Sequence, residues 1–138
     1  MNKKFWIGAV VVFVVLGILD TFTNIVLLAG AYEEISSLWR PEGEMKIGVI
    51  FLCWAFIAFF FTLIFSKGYR QTGIWEGVRY GLYVTGLMTI PAVYYTYATM
   101  PISYGLAFQW WVYGGITNVI LGILLALIYG KKPATPAP

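Results

Sequence analysis

The chain has 138 residues, of which 60% are hydrophobic, 19% aromatic and only 11% charged, whereas a soluble domain carries roughly a quarter charged residues. That composition excludes an ordinary soluble globular domain. The formal charge of +3 sits in short Lys/Arg clusters between apolar runs, which is a membrane-topology pattern and not an electrostatic footprint for nucleic acid; no nucleic-acid partner is expected.

Four apolar runs follow one another, at about 5–30, 47–65, 75–97 and 103–129. Each is long enough to cross a hydrocarbon core about 30 Å thick at about 1.5 Å rise per residue. The expected fold is therefore an all-α membrane protein, a four-transmembrane-helix bundle occupying residues 1–132. The first run has a signal-like alternative, because Lys3-Lys4 precedes it and Ala29-Gly30-Ala31 has the small-x-small form of a cleavage site. Its apolar length favours a retained helix.

Lys3, Lys4, Lys67, Arg70, Arg79, Lys131 and Lys132 all fall on one side of such a bundle. By the positive-inside rule that side is the cytoplasm, with both termini in and a bacterial inner membrane as the setting. The loop from Tyr32 to Lys46 carries Glu33, Glu34, Glu42 and Glu44 against Arg40 and Lys46, and Met100-Pro101 carries no charge, so both face out. The Pro/Ala-rich tail 133–138 is expected to be disordered.

Polar content separates the runs. The first holds Asp20, Thr21, Thr23 and Asn24, with Gly17, Asp20 and Asn24 on one helical face. The second is nearly all apolar from Phe51 to Phe61, Cys53 excepted, and is expected to face lipid. The third holds Thr85 and Thr89, and the fourth Gln109, Thr117 and Asn118. Asp20 is the one ionisable residue deep in a run, where a central Asp costs roughly 2.5 to 3.5 kcal/mol on insertion scales. Counted by helical rise from the outer ends, Asp20 lies about 15 Å deep, Thr89 about 12 Å, and Asn24 and Gln109 about 9 Å. These four are expected to form one polar layer, either as a structural clamp or as a proton, cation or ligand site.

Small residues recur every four positions as Gly77, Gly81, Thr85 and Thr89 on the third run, and as Gly114, Asn118, Gly122, Ala126 and Gly130 on the fourth. In lipid, close approach through small residues is what holds helices together. The two stripes predict tight packing at the cytoplasmic end. Toward the outside they give way to bulky rings, among them Tyr94, Trp110 and Trp111, and Pro91 interrupts the third run. The expected shape is a wedge, closed inside and splayed outside, with those three residues lining a candidate ligand wedge. An interfacial aromatic belt is the alternative. Glu76 and Arg79 stand three apart at the start of the third run, where they can pair and where Glu76 suits the helix dipole.

The chain has no histidine, hence none of the usual haem ligand, the commonest metal ligand or the base of a Ser or Cys triad. Cys53 is the only cysteine, and no phosphate-binding glycine fingerprint is present. No cofactor and no catalytic residue is expected. The segments Trp39-Arg-Pro-Glu42, Glu76-Gly-Val-Arg-Tyr-Gly81 and Met100-Pro-Ile-Ser103 through Trp110 resemble a group of small bacterial four-helix membrane proteins, a likeness that spans most of the chain and brings no activity with it. Asp20 is also similar to the first-helix carboxylate of the small multidrug-resistance transporters, but here it stands later in its helix and the charge bias is stronger. The sequence thus points to a non-enzymatic accessory subunit working with other membrane proteins or with copies of itself. The alternatives are a small proton- or cation-coupled transporter using Asp20, and a quinone- or lipid-binding protein.

Overall fold

The computed structural model describes residues 1–130, apart from the Glu42 side chain. Lys131, Lys132 and the tail 133–138, which entered the charge count and the expected disorder, lie outside the described residues. Among the described residues all regular structure is helical.

Helix α1 spans Lys3–Phe22 and starts where the Asn2 side chain accepts the backbone N–H of Phe5 at 3.0 Å. It continues without a break into a wider π turn, Thr23–Leu27, and after Leu28 a short helix α2 spans Ala29–Glu33. Helix α3 is Ile47–Gly68, α4 is Ile74–Val84, α5 is Ile90–Thr99 and α6 is Tyr104–Tyr129. Ser103 caps α6 by accepting the N–H of Leu106 at 3.2 Å. Three stretches are long and apolar enough to cross a membrane, Lys3–Leu27, Ile47–Gly68 and Tyr104–Tyr129. The fourth expected run is helical from α4 through a second π turn, Thr85–Thr89, into α5.

Both π turns have a local cause. In the first, the Asn24 side-chain amide donates to the Asp20 carbonyl at 2.8 Å, bringing a side-chain donor into the helical ladder beside the Thr23 N–H that bonds to the same carbonyl. The ladder slips to the wider spacing, and Leu28 N–H reaches the Thr23 carbonyl at 2.9 Å. In the second, Pro91 has no N–H to give, and the Ile90 N–H bonds to the Thr85 carbonyl five residues back.

The helices pack in two zones. Lys4, Lys67, Arg70 and Arg79 share one end, termed the basic end, where the Lys4 ammonium donates to the Tyr129 carbonyl at 2.9 Å. The buried face of α1 there is Phe5, Gly8, Val12 and Leu16, a helical period. It meets Ala58, Phe61 and Phe65 of α3 and Leu121, Leu125 and Ala126 of α6 in one apolar core. Helix α3 meets α4 in this half through the Phe61, Phe65 and Tyr80 rings, whose centroids are 4.7 and 5.2 Å apart across the gap, and the Tyr80 hydroxyl donates to the Phe61 carbonyl at 2.7 Å. The rest of α3 turns large apolar side chains outward; Phe51, Leu52, Phe56, Phe60 and Ile64 are each about half exposed.

Helices α4 and α6 touch backbone to backbone. A Cβ on Gly77 would collide with the Gly122 carbonyl, one on Gly122 with the Gly77 carbonyl, and one on Gly81 would stand 2.5 Å from the Asn118 carbonyl oxygen. The second core lies at the far end, where Leu28 and Ile35 from the first helical segment and loop meet Val93, Ile102, Leu106 and Ala107.

Candidate functional site: a polar cleft between two apolar cores

Several polar side chains meet at the seam between the two cores, among them Asp20, Thr23, Asn24, Thr89, Thr117 and Asn118. A cleft of about 330 Å³ opens there, with Leu16 of the basic-end core and Leu28 of the far-end core among its walls. Helix α1 and its π turn contribute Asp20, Thr23 and Asn24; the second π turn contributes Thr89; Tyr32 and Trp39 close the far side. Helix α6 contributes Trp110, Tyr113, Gly114, Thr117 and Asn118, which recur at three- and four-residue spacing on one helical face. A Cβ at Gly114 would stand 2.8 Å from the Thr89 methyl, so the glycine admits Thr89 to the cleft.

Two hydrogen-bonded chains brace these walls. In one, the Trp110 indole N–H donates to the Tyr32 hydroxyl at 3.0 Å, Tyr32 donates to the Asn24 side-chain oxygen at 2.5 Å, and the Asn24 amide donates to the Asp20 carbonyl. In the other, the Asn118 amide donates to the hydroxyls of Thr85 at 3.1 Å and Thr89 at 3.0 Å, the first and last residues of the second π turn. Thr85 passes its own proton to the Gly81 carbonyl at 2.8 Å. Each π turn is thus tied to α6 by one amide or indole donor. In a hydrocarbon setting such bonds average about 0.6 kcal/mol and reach roughly 2 kcal/mol.

The Asp20 carboxylate has the Trp54 indole and the Asn24 amide as polar neighbours. Gly17, one turn earlier on α1, makes room for that indole; a Cβ there would lie 3.0 Å from the Trp54 ring. None of the residues lining the cleft is basic. Tyr32, which lies outside the spans, has its hydroxyl pushed to a higher pKa by burial, with the Trp110 hydrogen bond pulling the other way and the Asp20 charge adding to the rise. Among the described residues no three carboxylate or thiol side chains converge on a common point.

Of the expected polar layer, Asp20, Asn24 and Thr89 share the cleft. Gln109 does not line it; it stands one position before Trp110 on α6 and so points to another face. Of the three residues expected to line a wedge, only Trp110 does. Trp111 packs against the far-end core with its indole N–H buried and unpartnered, and Tyr94 lies outside the cleft with its hydroxyl 3.4 Å from that of Tyr104. Gly77, Gly81, Thr85, Asn118, Gly122 and Ala126 lie along the α4–α6 seam or in the core beside it. Glu76 directs both carboxylate oxygens at the preceding loop, accepting from the backbone N–H groups of Arg70 and Thr72 and from the Thr72 hydroxyl.

Tyr32, which lines the cleft, and Trp54, which lies beside Asp20 without lining it, are two residues that sequence reasoning passes over. Gly17 is a signal for Trp54, since a glycine one turn from the buried carboxylate marks a close approach. Nothing local marks Tyr32, because its partner is 78 residues away. No family model, curated protein or solved structure matches the chain.

Proposed function

We propose that the chain is a non-enzymatic membrane protein that holds a lipid-soluble molecule with a hydrogen-bonding head group, of the quinone or lipid class, in the cleft between α1 and α6, and that it acts as an interaction subunit in a bacterial inner membrane. The observation that carries this reading is the cleft itself, a polar space of about 330 Å³ at the junction of two apolar cores. That volume suits a small-molecule site of roughly 300 to 1,000 Å³ with apolar walls and a few convergent polar groups. The hydroxyls of Thr23 and Thr117 offer donors and acceptors, Asp20 offers a carboxyl group, and Trp39, Trp110 and Tyr113 supply aromatic faces.

The bundle is read as four crossings with both termini cytoplasmic. The run from α4 to α5 is roughly 39 Å long at about 1.5 Å per residue, enough for a membrane about 30 Å thick. The contact between Lys4 and Tyr129 brings the first and last helices together at one end, which supports an even number of crossings. The concentration of Lys67, Arg70 and Arg79 at that same end supports a cytoplasmic location for it.

Transport is the second reading, favoured by an ionisable side chain that lines a cleft at membrane depth. Against it stands the backbone contact of Gly77 with Gly122, which closes the helix pair toward the basic end. One preparation tests both. Protein purified in mild detergent is extracted for lipids and quinones, scored for stoichiometric partner proteins, and reconstituted for flux. The proposal expects a bound lipid-soluble ligand that is lost in Trp110→Ala. A parent protein that carries no such ligand, or that drives proton-coupled flux abolished by Asp20→Asn, would overturn it.

A further inference from the structure

We propose that a second groove, at the basic end between α3 and α4, is a binding site for an anionic phospholipid, with the head-group phosphate held by Arg70 and Arg79 and an acyl chain lying along Ile64 and Tyr83. The groove has a volume of about 360 Å³ and is lined by these four residues together with Phe65, Gly68, Tyr69, Glu76 and Tyr80. It is separate from the polar cleft and shares with the reading above only the cytoplasmic placement of the basic end.

The groove has two chemically distinct halves. One wall is apolar and outward-facing: Ile64 is 59% and Tyr83 71% exposed, a level of apolar exposure suited to contact with lipid tails. The other half carries two guanidinium groups, each able to grip a phosphate through paired N–H donors. A soluble anion would use only the charged half. A phospholipid uses both, and basic pockets between helices at the cytoplasmic face are where anionic head groups bind.

The loop is built to hold this arrangement. Gln71 and Gly73 take left-handed backbone conformations, with φ of 62° and 108°, which turn the chain sharply between the helices. Glu76 then fastens the turn by accepting the N–H of Arg70 at 2.5 Å, the N–H of Thr72 at 3.0 Å and the Thr72 hydroxyl at 2.9 Å. Glu76 also lines the groove and feels the charge of Arg79, so two guanidinium groups stand against one carboxylate there and the groove keeps a net positive charge for a ligand. Two of the tyrosine hydroxyls nearby are also committed, Tyr80 to the Phe61 carbonyl and Tyr69 to the carbonyls of Ala126 and Gly130.

The test is native mass spectrometry of the detergent-purified full chain titrated with phosphatidylglycerol or with phosphatidylcholine of the same acyl chains. The parent is expected to bind phosphatidylglycerol preferentially. The double variant Arg70→Ala/Arg79→Ala is expected to lose that affinity roughly 30-fold, given about one kilocalorie per mole for each basic residue at a lipid surface. Lys67→Ala removes a charge at the same end but outside the groove and is expected to cost much less. Circular dichroism establishes that each variant is folded; if the double variant is not, Arg79→Gln alone is compared with the parent on the same scale. Equal binding of the two lipids by the parent, or a loss in Lys67→Ala equal to that of the arginine variants, would overturn the assignment.

Discussion

The Trp110 indole N–H donates to the hydroxyl of Tyr32 at 3.0 Å, joining the far end of the first helical segment to α6 across 78 residues of sequence. Tyr32 in turn donates to Asn24 at 2.5 Å, so one phenol both receives and gives a proton between two otherwise separate walls. Tyr32→Phe removes both bonds while keeping the ring against Trp39, 5.0 Å away. Thermal unfolding in detergent should show a loss of roughly 1 to 3 kcal/mol, because two half-buried polar partners are left unpaired. A variant as stable as the parent would show that the chain of bonds does not brace the cleft.

Gly77→Leu and Gly122→Leu should each separate α4 from α6, since there is no space for any side chain where the two backbones meet. Both should yield protein that fails to elute as a single folded species. Gly86→Ala is the comparison, a position with open space around it, and should stay within about 0.5 kcal/mol of the parent.

Asn118→Leu keeps the bulk of the side chain but deletes both donors to Thr85 and Thr89. The expected cost is roughly 1 to 2 kcal/mol. Hydrogen exchange should rise at the amides of the second π turn before it rises elsewhere in α5. Uniform exchange along α4 and α5 would contradict a clamping role for Asn118.

Burial raises the pKa of the Tyr69 hydroxyl, and the nearby Glu76 charge adds to the rise; burial does the same for Tyr32. A folded-state pKa above the unfolded value means that the folded form retains its proton longer. The stability is therefore complete below the ordinary tyrosine value of 10.0 and is lost as the pH rises past it. The midpoint of thermal unfolding should be flat near neutrality and fall above about pH 10. Tyr69→Phe should shallow that fall, although it also deletes the bonds to the Ala126 and Gly130 carbonyls.

Topology is read by labelling. With the exposed Cys53 changed to Ser, a cysteine at Ser37 should react with a membrane-impermeant maleimide on intact cells. A cysteine at Gln71 should react only after the membrane is opened. The reverse pattern would invert the proposed orientation.

The parts of this architecture that lie on single helices were legible before any coordinates. Gly17, Asp20 and Asn24 share one face of the first run by spacing alone, and Asp20 and Asn24 both line the cleft. The small-residue stripes likewise name the residues that stand where α4 and α6 touch. What the sequence could not convey was rotation. Trp110 and Trp111 are adjacent and equally bulky, yet about 100° of helical turn sends one into the cleft and the other into the far-end core. Gln109 stays out of the cleft for the same reason, since counting rise gives depth along the axis and does not fix azimuth. Glu76 and Arg79 show a different limit. Their spacing permits an ion pair on an isolated helix, but the loop before α4 folds back and offers Glu76 three hydrogen-bond donors.

Each π turn adds a residue to its helix without turning the faces beyond it, because the wider spacing absorbs the extra rotation. Removing one residue from within Thr23–Leu27 should therefore give a plain α-helix that still points Tyr32 at Trp110, while a deletion elsewhere in α1 would swing every later side chain away from its partner. Chain length and side-chain direction are uncoupled at these two places, which makes them the points where the helices can tolerate single-residue gains and losses.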